Sequence, residues 1–283
     1  MTQYDSKMWV KEKCPNIWQM LNSNAKQCLP CGLNEYIGNG YPSEIGRKHI
    51  LSIERYLVDL INVCGCKKVA DAYRRDLSGV GSENQVEELF CEIALCASLA
   101  KHAQKLELRP PTGKGTYSDC RFNLKGFDIY GEVKRYGDPW SQCNDNNKKI
   151  PCGRPIFKAP PDKKPDDAKR PRSMDIRSKL RDVHKQLPDG EINVLFIFHS
   201  SIGQSKQYIS QSLFGDSNFF PKAKHNYTLE KDGLFSKDKW QNISACCLSC
   251  VNQNSEMNFL FFWKNPRAFT ELPQSVISEL KAQ

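Results

Sequence analysis

Residues 117–136 read YSDCRFNLKGFDIYGEVKRY, and this stretch decides the fold. Residues 127–136 alternate between apolar and polar side chains, which predicts a β-strand that has two different faces. Residues 117–122 also have strand character, and residues 123–126 (NLKG) predict a tight turn between the two strands. The stretch therefore predicts an antiparallel hairpin.

Three charged side chains of this hairpin are expected to meet at one edge of a sheet. Glu132 and Lys134 are two positions apart, so they share one face of their strand while Val133 faces the other layer. The turn brings Asp119 alongside them. Two carboxylates and an ammonium suit phosphodiester hydrolysis, because carboxylate oxygens bind Mg²⁺ and a lysine holds phosphate as a point charge.

A long helix is predicted immediately before the hairpin. Residues 82–85 (SENQ) form a capping-box pattern that opens a helix running to about Lys105. Glu92 lies beside the apolar stripe of this helix, where a carboxylate is costly unless a metal or another cation compensates it. Glu88, one turn earlier, is the alternative carboxylate. The helical phase favours Glu92.

The chain after the hairpin predicts more helix and strand. Residues 138–172 are rich in proline and basic residues and are expected to form a long surface loop, either a solubilising insertion or a DNA-contacting one. Ser173 is expected to cap a helix that stops at Pro188. The apolar run Ile192–Phe198 predicts a strand covered on both faces. Two further strands are predicted over Ile243–Leu248 and Asn258–Lys264, and two helices over His49–Asn62 and Lys67–Leu77. This order predicts an α/β fold around a mixed sheet.

The following features occur in this order along the chain: a capped helix with Glu92, then Ser118-Asp119, then Gly131-Glu-Val-Lys134, and then a helix and a strand. This order of features resembles the PD-(D/E)XK nuclease superfamily. The resemblance covers roughly residues 83–200 and implies a restriction-endonuclease-like fold, with a mixed central sheet flanked by helices. On this basis we expect three regions: a mainly helical N-terminal extension at 1–80, a nuclease-like core at 81–268 that contains the insertion, and a C-terminal tail at 269–283.

The resemblance also implies an activity, which is metal-dependent cleavage of nucleic acid, most often by a DNA endonuclease. The residues that match the family's active site are Asp119, Glu132, Lys134 and Glu92. The metal, Mg²⁺ or Mn²⁺, would be held by Asp119, Glu132, Glu92 and the backbone carbonyl of Val133. Ser118 departs from the family, which often has proline there. Lys185-Gln186 resembles an element that some relatives carry near the active site, although a solvated helix end explains it equally well.

Composition agrees with a nucleic-acid partner and leaves alternatives open. The formal charge of +9 suits a polyanion, and the chain has no membrane-length apolar run and no secretory signal pattern, so a cytoplasmic protein is expected. Thirteen cysteines include the pairs Cys28/Cys31 and Cys247/Cys250, which keep a structural zinc site open. The main alternative to a nuclease is a catalytically silent nucleic-acid-binding protein or complex subunit, and a zinc-stabilised interaction module is a third reading. Oligomeric state and the choice between DNA and RNA stay open.

Overall fold

The structure is a computed structural model that describes residues 3–38, 43–136, 172–199, 202–216, 227–251 and 257–282. The basic insertion predicted at 138–172 lies outside these residues, apart from Arg172. Its expected roles therefore remain predictions.

The first part of the chain is helical. Its helices are α1 (Gln3–Lys13), α2 (Pro15–Met20), α3 (Ser23–Gln27), α4 (Cys31–Gly38), α5 (Ser43–Cys64) and α6 (Cys66–Gly79). The helices predicted over 49–62 and 67–77 are confirmed as α5 and α6, which extend further at both ends. Gly65 separates them with φ of +87°, a conformation that glycine adopts without steric cost.

The long helix predicted before the hairpin is α7 (Glu83–His102). It begins as the capping pattern predicts, because the Ser82 hydroxyl accepts the backbone N–H of Gln85 at 3.4 Å. The Gln85 side chain in turn accepts the backbone N–H of Gly81 at 2.6 Å. One N–H group of the first helical turn and one N–H group just before the helix are thus bound by local side chains.

The strands form one mixed six-stranded sheet in the order β1 to β6. They are β1 (Lys105–Leu108), β2 (Cys120–Leu124), β3 (Phe127–Tyr136), β4 (Ile192–His199), β5 (Ala245–Val251) and β6 (Met257–Lys264). Strand β3 pairs antiparallel with β2 and parallel with β4, β4 and β5 are parallel, and both edge strands are antiparallel to their neighbours. The predicted α/β class with a mixed sheet is confirmed.

The predicted hairpin is confirmed, with one correction to its first strand. Lys125 and Gly126 form the turn with φ of +54° and +82°, as a two-residue hairpin loop requires. Strand β2 begins at Cys120, however, so Asp119 precedes the strand and does not lie in it. The residues before Asp119 make a small hairpin of their own, in which Pro111 and Tyr117 are bridged, and so they cannot continue β2.

The two faces of the sheet carry two separate apolar clusters. Ile129 and Val133 of β3 pack into the cluster that contains α7, whereas Tyr130 belongs to the cluster on the opposite face. This alternation confirms the expectation that Val133 points away from the face of its two neighbours. Every residue of β4 from Ile192 to Phe198 is buried, as the apolar run predicts.

The remaining helices are α8 (Arg172–Leu180), α9 (Ile202–Phe214) and α10 (Gln274–Lys281). The single helix predicted up to Pro188 is wrong in its second half, because α8 ends at Leu180 and a short 3₁₀ turn covers Val183–Gln186. The carbonyls of His184 and Leu187 accept the side-chain amide of Asn242 at 2.9 and 3.2 Å, so they bond outside a helix.

The N-terminal helices and the C-terminal segment share one core with the sheet. The apolar cluster that contains α7 includes residues from Val10 in α1 to Leu280 in α10. Helix α10, which lies in the predicted C-terminal tail, is therefore packed against the core. Within the described part of the chain, every helix is too short or too polar to cross a membrane.

A buried ion pair joins α7 to the sheet. The guanidinium of Arg135 on β3 contacts the carboxylate of Glu87 on α7, and both side chains are almost fully buried. Arg135 also reaches the Asn84 side chain at 3.5 Å. A buried pair of this kind costs desolvation energy but fixes the position of the helix over the strand.

Replacing Arg135 by alanine is expected to lower the free energy of unfolding by about 3–5 kcal/mol, because the buried Glu87 carboxylate loses its compensating charge. Urea denaturation followed by circular dichroism measures this change. Arg121→Ala is the matched control, since Arg121 pairs with Asp128 at 2.6 Å on the solvated part of the same sheet and should cost at most about 1 kcal/mol. Equal losses in the two variants would contradict a special role for the buried pair.

Candidate active site

One cleft collects the side chains that the sequence singles out. It has a volume of about 540 Å³, and its walls come from β3, from the residue before β2, from α7 and from the end of α6. The sequence-predicted residues that line it are Glu88, Glu92, Asp119, Glu132, Val133, Lys134 and Gln186. The hairpin and the preceding helix therefore meet at one place.

Asp119 is held at the start of β2 by two backbone contacts. Its Oδ2 accepts the backbone N–H of Val133 at 2.7 Å, and its carbonyl accepts the backbone N–H of Arg109 at 3.0 Å. Because Cys120 pairs with Gly131, the antiparallel register places Asp119 across from the residue that follows Gly131, which is Glu132. Burial raises the pKa of Asp119, although Lys134 and the Val133 N–H oppose this rise.

Glu132 is the fully buried carboxylate of the cleft. Its side chain has no exposed surface, and its Oε1 accepts a hydrogen bond from Lys134 Nζ at 2.6 Å. Its other oxygen, Oε2, is buried and finds no hydrogen-bond donor among the described residues. Burial raises the pKa of Glu132 well above the ordinary value, and the neighbouring Asp119 adds to the rise. An ionised Glu132 therefore needs more positive charge than Lys134 alone provides.

Lys134 stays cationic in this setting. Burial alone would lower its pKa, but the carboxylates of Glu132 and Asp119 outweigh that effect and raise the pKa above the usual value. Its side chain is about one-third exposed, so the ammonium is partly accessible from the cleft. The group is therefore suited to bind an anion and unsuited to accept a proton at neutral pH.

Glu92 lies inside the cleft and Glu88 lies at its exposed rim, in the order that the helical phase predicts. Both Glu92 oxygens are bound by the Arg109 guanidinium, at 2.9 and 3.2 Å from Nη2. Burial and the nearby Asp119 raise the pKa of Glu92 to about 8, against the opposing effect of Arg109. The structure therefore pairs Glu92 with an arginine, and a place for Glu92 in a metal's coordination shell remains a prediction.

Sequence reasoning missed Arg109 and Asp76. Arg109 bridges Glu92 and Asp76, the latter at 2.5 Å, and its guanidinium lies 5.5 Å from the ring centre of Tyr73. Its φ is +50°, in the left-handed region that costs a residue with a side chain about 1–2 kcal/mol. No periodicity or motif in the sequence marks this residue, because it lies at the end of a short strand.

The donor set can be compared with what Mg²⁺ requires. Among the described residues, no three His, Cys, Asp or Glu side chains are grouped as a metal-binding shell. Mg²⁺ is nevertheless commonly held by one or two carboxylates together with water and substrate oxygens. Asp119 and Glu132 fit that pattern, because they are two neighbouring carboxylates and the Oε2 of Glu132 has no hydrogen-bond donor among the described residues. The predicted use of the Val133 carbonyl as a ligand remains a prediction.

The two cysteine pairs lie in different elements of the structure. Cys28 and Cys31 are exposed near the start of α4, whereas Cys247 is buried within β5 and lies 3.4 Å from the Ser249 hydroxyl. No zinc-binding group is found in the part of the chain that the structure describes. In the Lys185-Gln186 element, Gln186 lines the cleft and Lys185 pairs with Asp182 at 2.9 Å on the exposed side.

The raised carboxyl pKa values predict a pH-dependent stability. An acid with a higher pKa in the folded state than in the unfolded state binds more protons when folded, so stability falls as pH rises from about 4.5 through the folded pKa. For Glu92 this window ends near pH 8. The Tm measured in EDTA should therefore fall between pH 5.5 and 8.5, and the Glu92→Gln variant should show a smaller fall.

Thermal melts of the two proteins across this pH range measure the effect. Glu88→Gln is the matched control, because Glu88 lies on the same helix but is exposed. Added Mg²⁺ or Mn²⁺ should raise Tm more at pH 8.5 than at pH 5.5, since fewer protons must leave the carboxylates. A pH profile that Glu92→Gln leaves unchanged would show that Glu92 titrates at an ordinary pKa.

In comparisons with protein-family models, curated proteins and solved structures, none matched this chain.

Proposed function

We propose that the protein is a divalent-metal-dependent nuclease that hydrolyses phosphodiester bonds of nucleic acid, most simply as a DNA endonuclease. One observation carries the proposal. The fully buried carboxylate of Glu132 has an oxygen without a hydrogen-bond donor among the described residues, beside Asp119 and Lys134. Such an arrangement is costly for stability alone, and an added cation would relieve it.

Each side chain has a distinct part in this proposal. Asp119 and Glu132 would hold the cation, and the Val133 N–H fixes Asp119 in place. When bound, Mg²⁺ polarises the scissile phosphate and lowers the pKa of its water. Lys134 keeps its proton and binds the phosphate and the attacking water through its partly exposed ammonium. Arg109 holds Glu92 next to these groups, where Glu92 is expected to orient water.

The arrangement of the sheet supports a restriction-endonuclease-like fold. The acid–x–Lys strand β3 lies between an antiparallel hairpin partner and the parallel strand β4, and α7 packs across one face. The resemblance to the PD-(D/E)XK superfamily implies a mixed central sheet flanked by helices, and this arrangement is compatible with that implication. The formal charge of +9 favours a polyanionic substrate.

Incubation of plasmid DNA and labelled oligonucleotides with the protein tests the proposal. Cuts are expected with Mg²⁺ or Mn²⁺ and none with EDTA. Lys134→Ala should slow cleavage by at least about 100-fold, because it removes a charge that stabilises the transition state. Asp119→Asn, which keeps an oxygen for the Val133 N–H, should slow it at least as much.

Lys101→Ala is the matched control, because Lys101 is a surface lysine that also pairs with one carboxylate, Asp59, at 3.1 Å. It should cut like the unmodified protein. Equal cutting by Lys134→Ala would refute the assignment of the site. Salt-sensitive binding of nucleic acid without cleavage under any metal would instead establish the alternative, a silent nucleic-acid-binding protein of the same fold.

A further inference from the structure

A second, larger cleft adjoins the candidate active site. It has a volume of about 1060 Å³ and runs along the edge strand β1 between α6 and the loop that precedes β2. The two clefts share Arg75, Asp119 and Gln186 in their walls. A ligand in the larger cleft therefore lies directly beside Asp119.

Basic side chains from two elements line this second cleft. Lys68 and Arg75 are seven residues apart on α6, so they lie on the same side of that helix, and Lys105 begins β1. All three are exposed, and neither Lys68 nor Lys105 forms a salt bridge with another described residue. Asp71 and Glu107 also line the cleft and limit its excess of positive charge. The cations are spread along the wall, as contacts to successive phosphates would require.

Tyr117 presents an aromatic ring at the same cleft. Its side chain is 62% exposed, although the backbone around it is held in a small hairpin. The Thr112 N–H and hydroxyl donate to the Thr116 carbonyl at 3.0 and 3.1 Å, and the Thr116 hydroxyl donates to the Lys185 carbonyl at 2.8 Å. The ring is therefore carried on a well-bonded loop, two residues before Asp119.

The same loop is also bonded to the segment that follows the short 3₁₀ turn. Lys114 Nζ donates to the Leu187 carbonyl at 2.9 Å and to Asp189 Oδ1 at 2.6 Å. A loop that is bonded along its length loses little conformational entropy when its ring contacts a ligand. An exposed and preorganised aromatic beside spaced cations is the arrangement by which proteins bind unpaired nucleotides.

We propose that the larger cleft binds an unpaired nucleotide of the substrate, with its base stacked on Tyr117 and neighbouring phosphates on Lys68, Arg75 and Lys105. The inference rests on the proposed function, because it identifies the substrate of that site as single-stranded or locally unpaired nucleic acid. In a duplex the faces of the bases are covered by their neighbours, so a side chain can stack only on a base that has left the stack.

Fluorescence anisotropy in EDTA tests the inference without cleavage. The probes are labelled oligothymidylate, an abasic oligonucleotide of the same length, and a duplex of the same length. Tyr117→Ala should weaken binding of oligothymidylate about tenfold and leave the abasic probe unchanged, because only stacking is lost. Tyr117→Phe should restore binding. The unmodified protein should bind oligothymidylate more tightly than the duplex.

Two further variants separate stacking from charge and from general exposure. Phe269→Ala is the matched control, because Phe269 is equally exposed at 65% but lies outside both clefts, and it should bind like the unmodified protein. The double variant Lys68→Ala, Lys105→Ala should weaken all probes and make the dependence of log K on log salt shallower by about 1.4 for single strands.

Three results would overturn the inference: unchanged binding by Tyr117→Ala, an equal loss for the abasic probe, or tighter binding of the duplex. These results are distinct from a failure of the proposed function. Tyr117-dependent binding without cleavage under any metal removes only the nuclease assignment. Metal-dependent cleavage with binding that ignores Tyr117 removes only the cleft assignment.

Discussion

A carboxylate that has no contact with water has to be compensated by nearby positive charge, and Glu132 imposes this requirement on the middle of the sheet. Lys134 compensates this charge in part, because its ammonium donates a hydrogen bond to one of the two Glu132 oxygens. Asp119 makes the requirement larger, because it adds a second negative charge to the same buried space. The local structure is therefore organised around a surplus of negative charge, which a divalent cation would neutralise.

The topology explains how such a cluster forms within a well-packed protein. The side chains of β3 alternate between the two faces of the sheet. Ile129 and Val133 therefore pack into the core with α7, whereas Glu132 and Lys134 line the cleft. The buried Arg135–Glu87 pair holds α7 across the strand. The N-terminal helices contribute to the same core, and through α6 they also supply one wall of both clefts. The helical extension is thus part of the site's construction.

Much of this arrangement could be predicted because it depends on short-range patterns. The cap at Ser82, the turn at Lys125-Gly126 and the apolar run of β4 are local signals, and each appears where the sequence indicates. The convergence of Asp119 with Glu132 follows from the same hairpin. The predicted start of strand β2 at Tyr117 is wrong, because Tyr117 has strand character but pairs with Pro111 in a separate small hairpin.

Other features depend on contacts between residues distant in sequence, which periodicity does not reveal. The helix predicted to reach Pro188 keeps its apolar residues buried but ends at Leu180, and beyond it the carbonyls of His184 and Leu187 accept the side-chain amide of Asn242. Arg109 carries no motif, and its importance appears only where Glu92 and Asp76 come together around it. The packing of α10 against the core likewise became evident only in three dimensions.

The left-handed backbone at Arg109 is kept in place by the contacts of its side chain. Glycine would adopt that backbone at no steric cost and so relieve about 1–2 kcal/mol. The same exchange would delete the guanidinium that binds Asp76 and Glu92 and leave a largely buried acid without its counter-ion, which costs about 3–5 kcal/mol for a buried pair. Selection for a more heat-resistant chain would therefore retain arginine at this position in spite of its strained backbone.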